Sequence, residues 1–312
     1  EEADFADFLS KAEPGLVIPG LAENLIPQGM DQCDETGILY ISGYYTTDGK
    51  SSAILAVDTA TGELTAEYIL LNAGGTPFDG HVGGVAVSED TLYVSGQKQN
   101  GLYTICAIPL KDLPAEGSHE VKLEQTIPVP VSPSFLSCSH GYLWVGNFYH
   151  PGADYPLSDG MKYTTASADG EDYGCYIMGY DLSKGSLSVA DGDDYAQPDV
   201  VLVGPNKIQG VVAGEDDTVT LSQSYGRKNN ASLLRYSLVL GETLDTMLTV
   251  QGRDVPGYIL DSKRLKESVT AMPMTEALAD AKDGGIYVLF ESGAIHYANG
   301  TFRTDHVWKI KF

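Results

Sequence analysis

Gly37-Ile38-Leu39-Tyr40-Ile41-Ser42-Gly43 decides the fold, because it returns four times along the chain. It reappears as Thr91-Leu92-Tyr93-Val94-Ser95-Gly96, Gly141-Tyr142-Leu143-Trp144-Val145-Gly146, Thr218-Val219-Thr220-Leu221-Ser222 and Gly285-Ile286-Tyr287-Val288-Leu289-Phe290. Each copy reads as a short strand rich in β-branched, aromatic and leucine side chains. Recurrence at a long period is the mark of a repeat architecture.

The surroundings repeat as well. Upstream of each copy lies a segment of small residues: Pro27-Gln28-Gly29-Met30, His81-Val82-Gly83-Gly84, Pro133-Ser134-Phe135, Ile208-Gln209-Gly210 and Met274-Thr275-Glu276. Downstream comes a third strand, as in Ala53-Ile54-Leu55-Ala56-Val57 and His306-Val307-Trp308-Lys309-Ile310, and often a fourth, such as 64–71 or 200–203. Turn signals such as Thr61-Gly62-Glu63 and Ser183-Lys184-Gly185 separate them. The unit is three or four antiparallel strands, present five times. Measured from Gln28, Gly83, Ser134, Gln209 and Glu276, the spacings are 55, 51, 75 and 67, with 64 across the termini; together they use all 312 residues.

Radial repetition of small sheets buries such units and leaves only short edges. The expectation is an all-β, five-bladed ring forming one domain over residues 1–312. The fifth unit ends on its third strand at Phe312, so Gly15-Leu16-Val17-Ile18-Pro19 is expected to supply the outer strand of the last blade and tie the termini together. Two segments break the pattern. Residues 150–174 read as a long acidic insertion carrying Asp154, Asp159, Asp169, Glu171 and Asp172, and residues 258–268 read as a short helix.

Composition excludes several functions. A net charge of −24 and a pI near 4.4 repel nucleic acid and anionic membranes. No apolar run approaches the ~18 residues of a membrane helix, so no membrane insertion is expected. The chain opens on Glu1-Glu2-Ala3-Asp4 without an initiator methionine and is rich in tyrosine, which suggests an exported protein with its leader removed. Cys33, Cys106, Cys138 and Cys175 show no metal-binding spacing and fall in strand-like runs, so they are expected to be small buried hydrophobes, with one or two disulfides as the alternative.

The segment Ile208-Gln209-Gly210-Val211-Val212, followed by Thr218-Val219-Thr220-Leu221-Ser222 and Leu234-Arg235-Tyr236, resembles blades of the gluconolactonase and strictosidine-synthase-like β-propellers. The combination of Gly80-His81-Val82-Gly83-Gly84, Leu143-Trp144-Val145-Gly146, Ser222-Gln223-Ser224-Tyr225-Gly226-Arg227 and Leu289-Phe290-Glu291-Ser292 resembles exported bacterial β-propeller proteins of unassigned function. The resemblance implies a β-propeller. In the calcium-dependent lactonases, acids and asparagines at the blade starts ligate the metal. Here the corresponding residues are Gln28, Gly83, Ser134, Gln209 and Glu276, only one of them a carboxylate, whereas calcium takes about six to eight oxygens. No cofactor and no metal site are therefore expected, with calcium the alternative, for instance at Asp191-Gly192-Asp193-Asp194.

In such a ring, inner-strand starts and second-strand ends crowd one mouth of the channel. The repeat brings Gln28, Tyr44, Asn147, Gln209, Tyr225 and Arg227 there as ligand-binding candidates. His81, flanked by glycines, joins Glu276 and Glu291 as a candidate general acid or base. A bland alternative has one glutamate pairing with Arg227 across a blade boundary. No nucleophile elbow, phosphate loop or dinucleotide motif occurs. The expected function is binding of a small molecule, glycan or peptide at the channel mouth by a monomer. The alternative is a hydrolase or lyase using His81 with Glu276 or Glu291.

Overall fold

A computed structural model describes residues 2–152 and 155–312; of the acids in the insertion, Asp154 lies outside the described residues. Each recurring segment is the second strand of a sheet, flanked by an inner strand on the axis and a third strand outside. Blade 1 is Leu25–Gln32, Ile38–Tyr45, Ala53–Asp58 and Leu64–Asn72. Blade 2 is Val85–Val87, Thr91–Ser95, Tyr103–Pro109 and Thr126–Val129. Blade 3 is Phe135–Ser139, Tyr142–Gly146, Cys175–Asp181 and Val200–Gly204. Blade 4 is Ile208–Gly214, Thr218–Gln223, Ala231–Ser237 and Leu265–Ala271. Blade 5 is Thr275–Asp280, Ile286–Phe290, His306–Ile310 and, from the other end of the chain, Ala12–Val17. The chain is a five-bladed β-propeller.

The N-terminal strand closes the ring as expected, but it starts three residues earlier, pairing Ala12 with Ile310 and Val17 with His306. Pro14 is tolerated because this is an edge strand, where a missing N–H breaks no ladder. The residues before the strand also work. Phe8 is fully buried against Phe290 and Trp308, and Phe5 packs edge-on against Phe302, so the N-terminal arm fills the core between blades 4 and 5.

Three strands extend blades beyond the repeat. Gly117–Leu123 returns from blade 2 to pair in parallel with the outer strand of blade 1. Arg253–Ile259 adds in parallel to blade 3 and carries Thr246–Val250 beside it. The expected helix over 258–268 is therefore corrected: it is the end of one strand, a turn, and the start of another. Asp261 makes the turn, its carboxylate accepting from the Lys263 and Ala168 backbone N–H groups. The acidic insertion contains a two-stranded hairpin, Thr165–Ala166 with Asp172–Tyr173, and Asp169 accepts from the Ser262 N–H. Two acids at this junction thus hold backbone.

The inner strands press together around the axis. A Cβ at Gly84 would stand 2.3 Å from the Leu136 nitrogen, which only glycine avoids. The recurring serine of the repeat stitches blades: Ser42 donates to the Val82 carbonyl at 2.8 Å, Ser95 to Pro133 at 2.7 Å and Ser222 to Glu276 at 2.5 Å. Deeper along the axis, fully buried Asp31 accepts from the backbone N–H groups of Gln32, Val87 and Cys138 at 2.9–3.0 Å, joining blades 1, 2 and 3. All four cysteines are buried and free. Among the described residues, no helix is long and apolar enough to cross a membrane.

Candidate functional site

The inner strands of blades 1, 4 and 5 each lose register against their second strand at the same place. The slips fall between Pro27 and Gly29, between Ile208 and Gly210, and between Thr275 and Leu278. A bulge leaves a residue unpaired and re-aims its side chain. Here the residues set free are Gln28, Gln209 and Glu276, and all three line one cavity at the channel mouth. The backbone ahead of two of them is left-handed, with φ of 70° at Lys207 and 68° at Met274. In blade 2 the corresponding strain falls on Val82, a β-branched residue at φ 48° that also lines the cavity.

The bulged side chains meet the end of the second strand of blade 5. Gln209 donates its amide N–H to Glu276 at 3.2 Å, and Gln28 donates to Glu291 at 3.0 Å. The Glu276 and Glu291 carboxyls stand within hydrogen-bonding reach of each other. Two carboxyls so placed favour protonation of one of them. Burial, with Glu276 only 5% exposed, pushes its carboxyl well above the usual range, and the charge of Glu291 adds to this. Burial raises Glu291 too, while Tyr297, Gln28 and the more distant Arg227 favour its charged form. Burial and the nearness of the two carboxyls thus both raise the proton affinity of the pair.

The walls are aromatic. Tyr297, in the turn Ile295–Tyr297, reaches both Glu291 and Tyr44. His81 stacks flat on Tyr44, with centroids 4.4 Å apart and planes within 2°. Desolvation there lowers its pKa below the ordinary value. Across the cavity, Tyr225 packs with Phe148, His150 and Tyr155, which lies in the acidic insertion. The cavity holds about 740 Å³.

Gln28, Tyr44, His81, Gln209, Tyr225, Arg227, Glu276 and Glu291 thus line one cavity. Asn147 does not, and that assignment is corrected. It is 1% exposed, donates to the Gly174 carbonyl at 3.1 Å and accepts from the Tyr176 N–H at 2.8 Å, so both ends of its amide hold backbone inside blade 3. The alternative pairing of a glutamate with Arg227 is replaced by the carboxyl pair; Arg227 donates to Asn299 at 3.1 Å. Sequence reasoning missed Tyr297, Phe148 and Tyr155. Phe148 could have been found, because it lies next to the candidate Asn147 at the same strand end. Of the blade-start residues, Gly83 offers no side chain and Glu276 alone is a carboxylate. Asp193 is engaged by Arg253. Among the described residues, no three His, Cys, Asp or Glu side chains cluster as metal ligands.

No protein-family model and no curated protein matches this chain. Solved structures do. The PQQ-bound aldose sugar dehydrogenase of Streptomyces coelicolor is similar at a TM-score of 0.51 and 12% identity, covering 96% of this chain and 97% of that one. A GH43 β-xylosidase/α-arabinofuranosidase from a compost metagenome, solved with xylotriose, aligns at 0.48 and 11% over 96% and 94%. Hydrazine synthase of Kuenenia stuttgartiensis aligns at 0.39 and 13%, and there the chain spans 55% of its counterpart. At such identities the likeness is one of fold, and the dehydrogenase match agrees with the propeller drawn from the strands.

Proposed function

We propose that this chain binds a small polyhydroxylated molecule, a sugar or short glycan, in the cavity at its channel mouth. The observation that carries the reading is the floor: the Glu276 and Glu291 carboxyls with the amides of Gln28 and Gln209 and the ring of Tyr297, lining one cavity, with Gln28, Gln209 and Glu276 aimed into it by backbone bulges. Such a floor presents donors and acceptors side by side, as neighbouring hydroxyls of a sugar require. The Tyr44–His81 plate and the Tyr225 cluster offer flat apolar surface for the other face of a ring. The volume falls in the range of small-molecule sites. The likeness to the sugar dehydrogenase is one of fold, and the reading rests on the cavity.

A second reading has the carboxyl pair acting as acid and base, with His81 at the mouth. The raised proton affinity of the pair favours it, since one partner can donate while the other accepts. It is a proton-transfer chemistry rather than glycoside hydrolysis. Carboxyls close enough to hydrogen-bond stand nearer than the ~5 Å separation of a retaining glycosidase.

A thermal-shift screen with mono- and oligosaccharides tests the binding reading, because a ligand of the folded state raises the midpoint. We expect at least one sugar to do so, and a Glu276→Gln variant to lose the effect. A screen in which no sugar moves the wild-type midpoint removes the reading. Turnover of a bound sugar that disappears in Glu276→Gln while binding persists would favour the second.

A further inference from the structure

Resting on the sugar-binding reading, we propose that the ligand of this cavity carries a carboxylate, received by Arg227, and so belongs to the sugar acids, uronic or aldonic. The chain has five arginines among 43 acidic residues. Arg235 pairs with Asp216, Arg253 with Asp193 and Arg264 with Asp245. Arg303 is taken up by the carbonyls of Ser292, Gly293 and Ala294. Arg227 alone lines the cavity, and among the described residues it has no carboxylate within ion-pair distance.

Its placement is built rather than loose. The guanidinium lies 4.7 Å over the Tyr297 ring, and one Nη1 donor is fixed to the Asn299 carbonyl oxygen. Stacking holds the plane and the asparagine sets its rotation. The remaining N–H donors have no partner among the described residues, leaving the fork that accepts a carboxylate edge-on. Tyr297 also touches Glu291, so the docking position for the acid sits beside the floor that takes the hydroxyls. A carboxylate at one end and hydroxyls along the chain or ring is the chemical description of a sugar acid. The other cation of the rim, Lys98, is already paired with Asp159. One available guanidinium, without a helix N-terminus or a second unpaired cation in the lining, matches a carboxylate better than the more highly charged phosphate.

Isothermal titration of glucuronate, galacturonate and gluconate against glucose and galactose tests this, with glucose 6-phosphate as a further arm. We expect at least one acid to bind about tenfold more tightly than its neutral counterpart. Arg227→Gln should abolish the preference for the acid over its neutral counterpart; Arg227→Lys should recover part of it. An unchanged preference in Arg227→Gln, equal binding of acid and neutral sugar by the wild type, or tighter binding of the phosphate overturns the proposal while the cavity reading stands. No binding of either acids or neutral sugars overturns the cavity reading itself. Arg227 is exposed, so the thermal midpoint of each variant serves as the check that it folds as the wild type does.

Discussion

Two buried acidic centres lie along the axis of this ring, and they have opposite surroundings. Asp31 is enclosed by three backbone N–H groups from three blades. Glu276 and Glu291 are enclosed by each other and by side chains: two amides and a tyrosine. Backbone donors cannot turn away, so Asp31 is committed to holding the inner strands in place. Side-chain partners can exchange one acceptor for another, so the carboxyl pair is free to turn toward a ligand. The partner set, more than burial itself, decides whether a buried acid is a structural latch or a binding floor.

The sharpest break in the comparison is Asp31→Ala. It orphans three N–H groups on the axis, and at about 1–3 kcal/mol for each buried unsatisfied group we expect a loss of at least about 3 kcal/mol. Denaturant unfolding measures this, and a loss below about 1 kcal/mol would place the latch elsewhere. Asn147→Ala removes the partners of the Gly174 carbonyl and the Tyr176 N–H, and should cost about 1–3 kcal/mol without altering ligand affinity. A change in affinity there would return Asn147 to the site.

Stability against pH comes next. Burial pushes Asp31 up to about 7 and raises both glutamates. Unfolded carboxyls release their protons near pH 4. Between there and the folded values the native state binds more protons, so stability falls as pH rises. The midpoint should drop between pH 5 and pH 8, and drop less in Glu276→Gln. A midpoint that climbs over this range contradicts the raised values. The smallest expected effect is that of Glu276→Gln on stability at pH 7, within about 1 kcal/mol of wild type, because the amide keeps an acceptor for Gln209 and offers a donor to Glu291.

The fold was largely legible because the recurring strand is buried on both faces and keeps its composition in every blade. Tyr40-Ile41-Ser42 and Tyr93-Val94-Ser95 differ little, and both end on the stitching serine. The segment 258–268 misled because Tyr258, Ile259, Leu260 and Leu265 imitate helical spacing, whereas a parallel pairing with Val201–Val203 and the Asp261 turn determine its conformation. Gly117–Leu123 went unread because it is short and polar and only Leu123 is buried, its other residues being exposed or half-buried. At the site, the axial residues followed from the repeat. Tyr297 did not, because it sits in a turn past the strand end, and Tyr155 did not, because the insertion has no period. Asp31 reads in the sequence as an ordinary strand residue; only the closing of three blades around it makes it a latch.

The most direct test of the central claim is the ligand-induced thermal shift of wild type and Glu276→Gln measured side by side with the same sugar. The account predicts a rise in the wild type and none in the variant, whose own midpoint stays near that of the wild type. An equal rise in both would contradict it, because the ligand would then be held without the carboxyl pair.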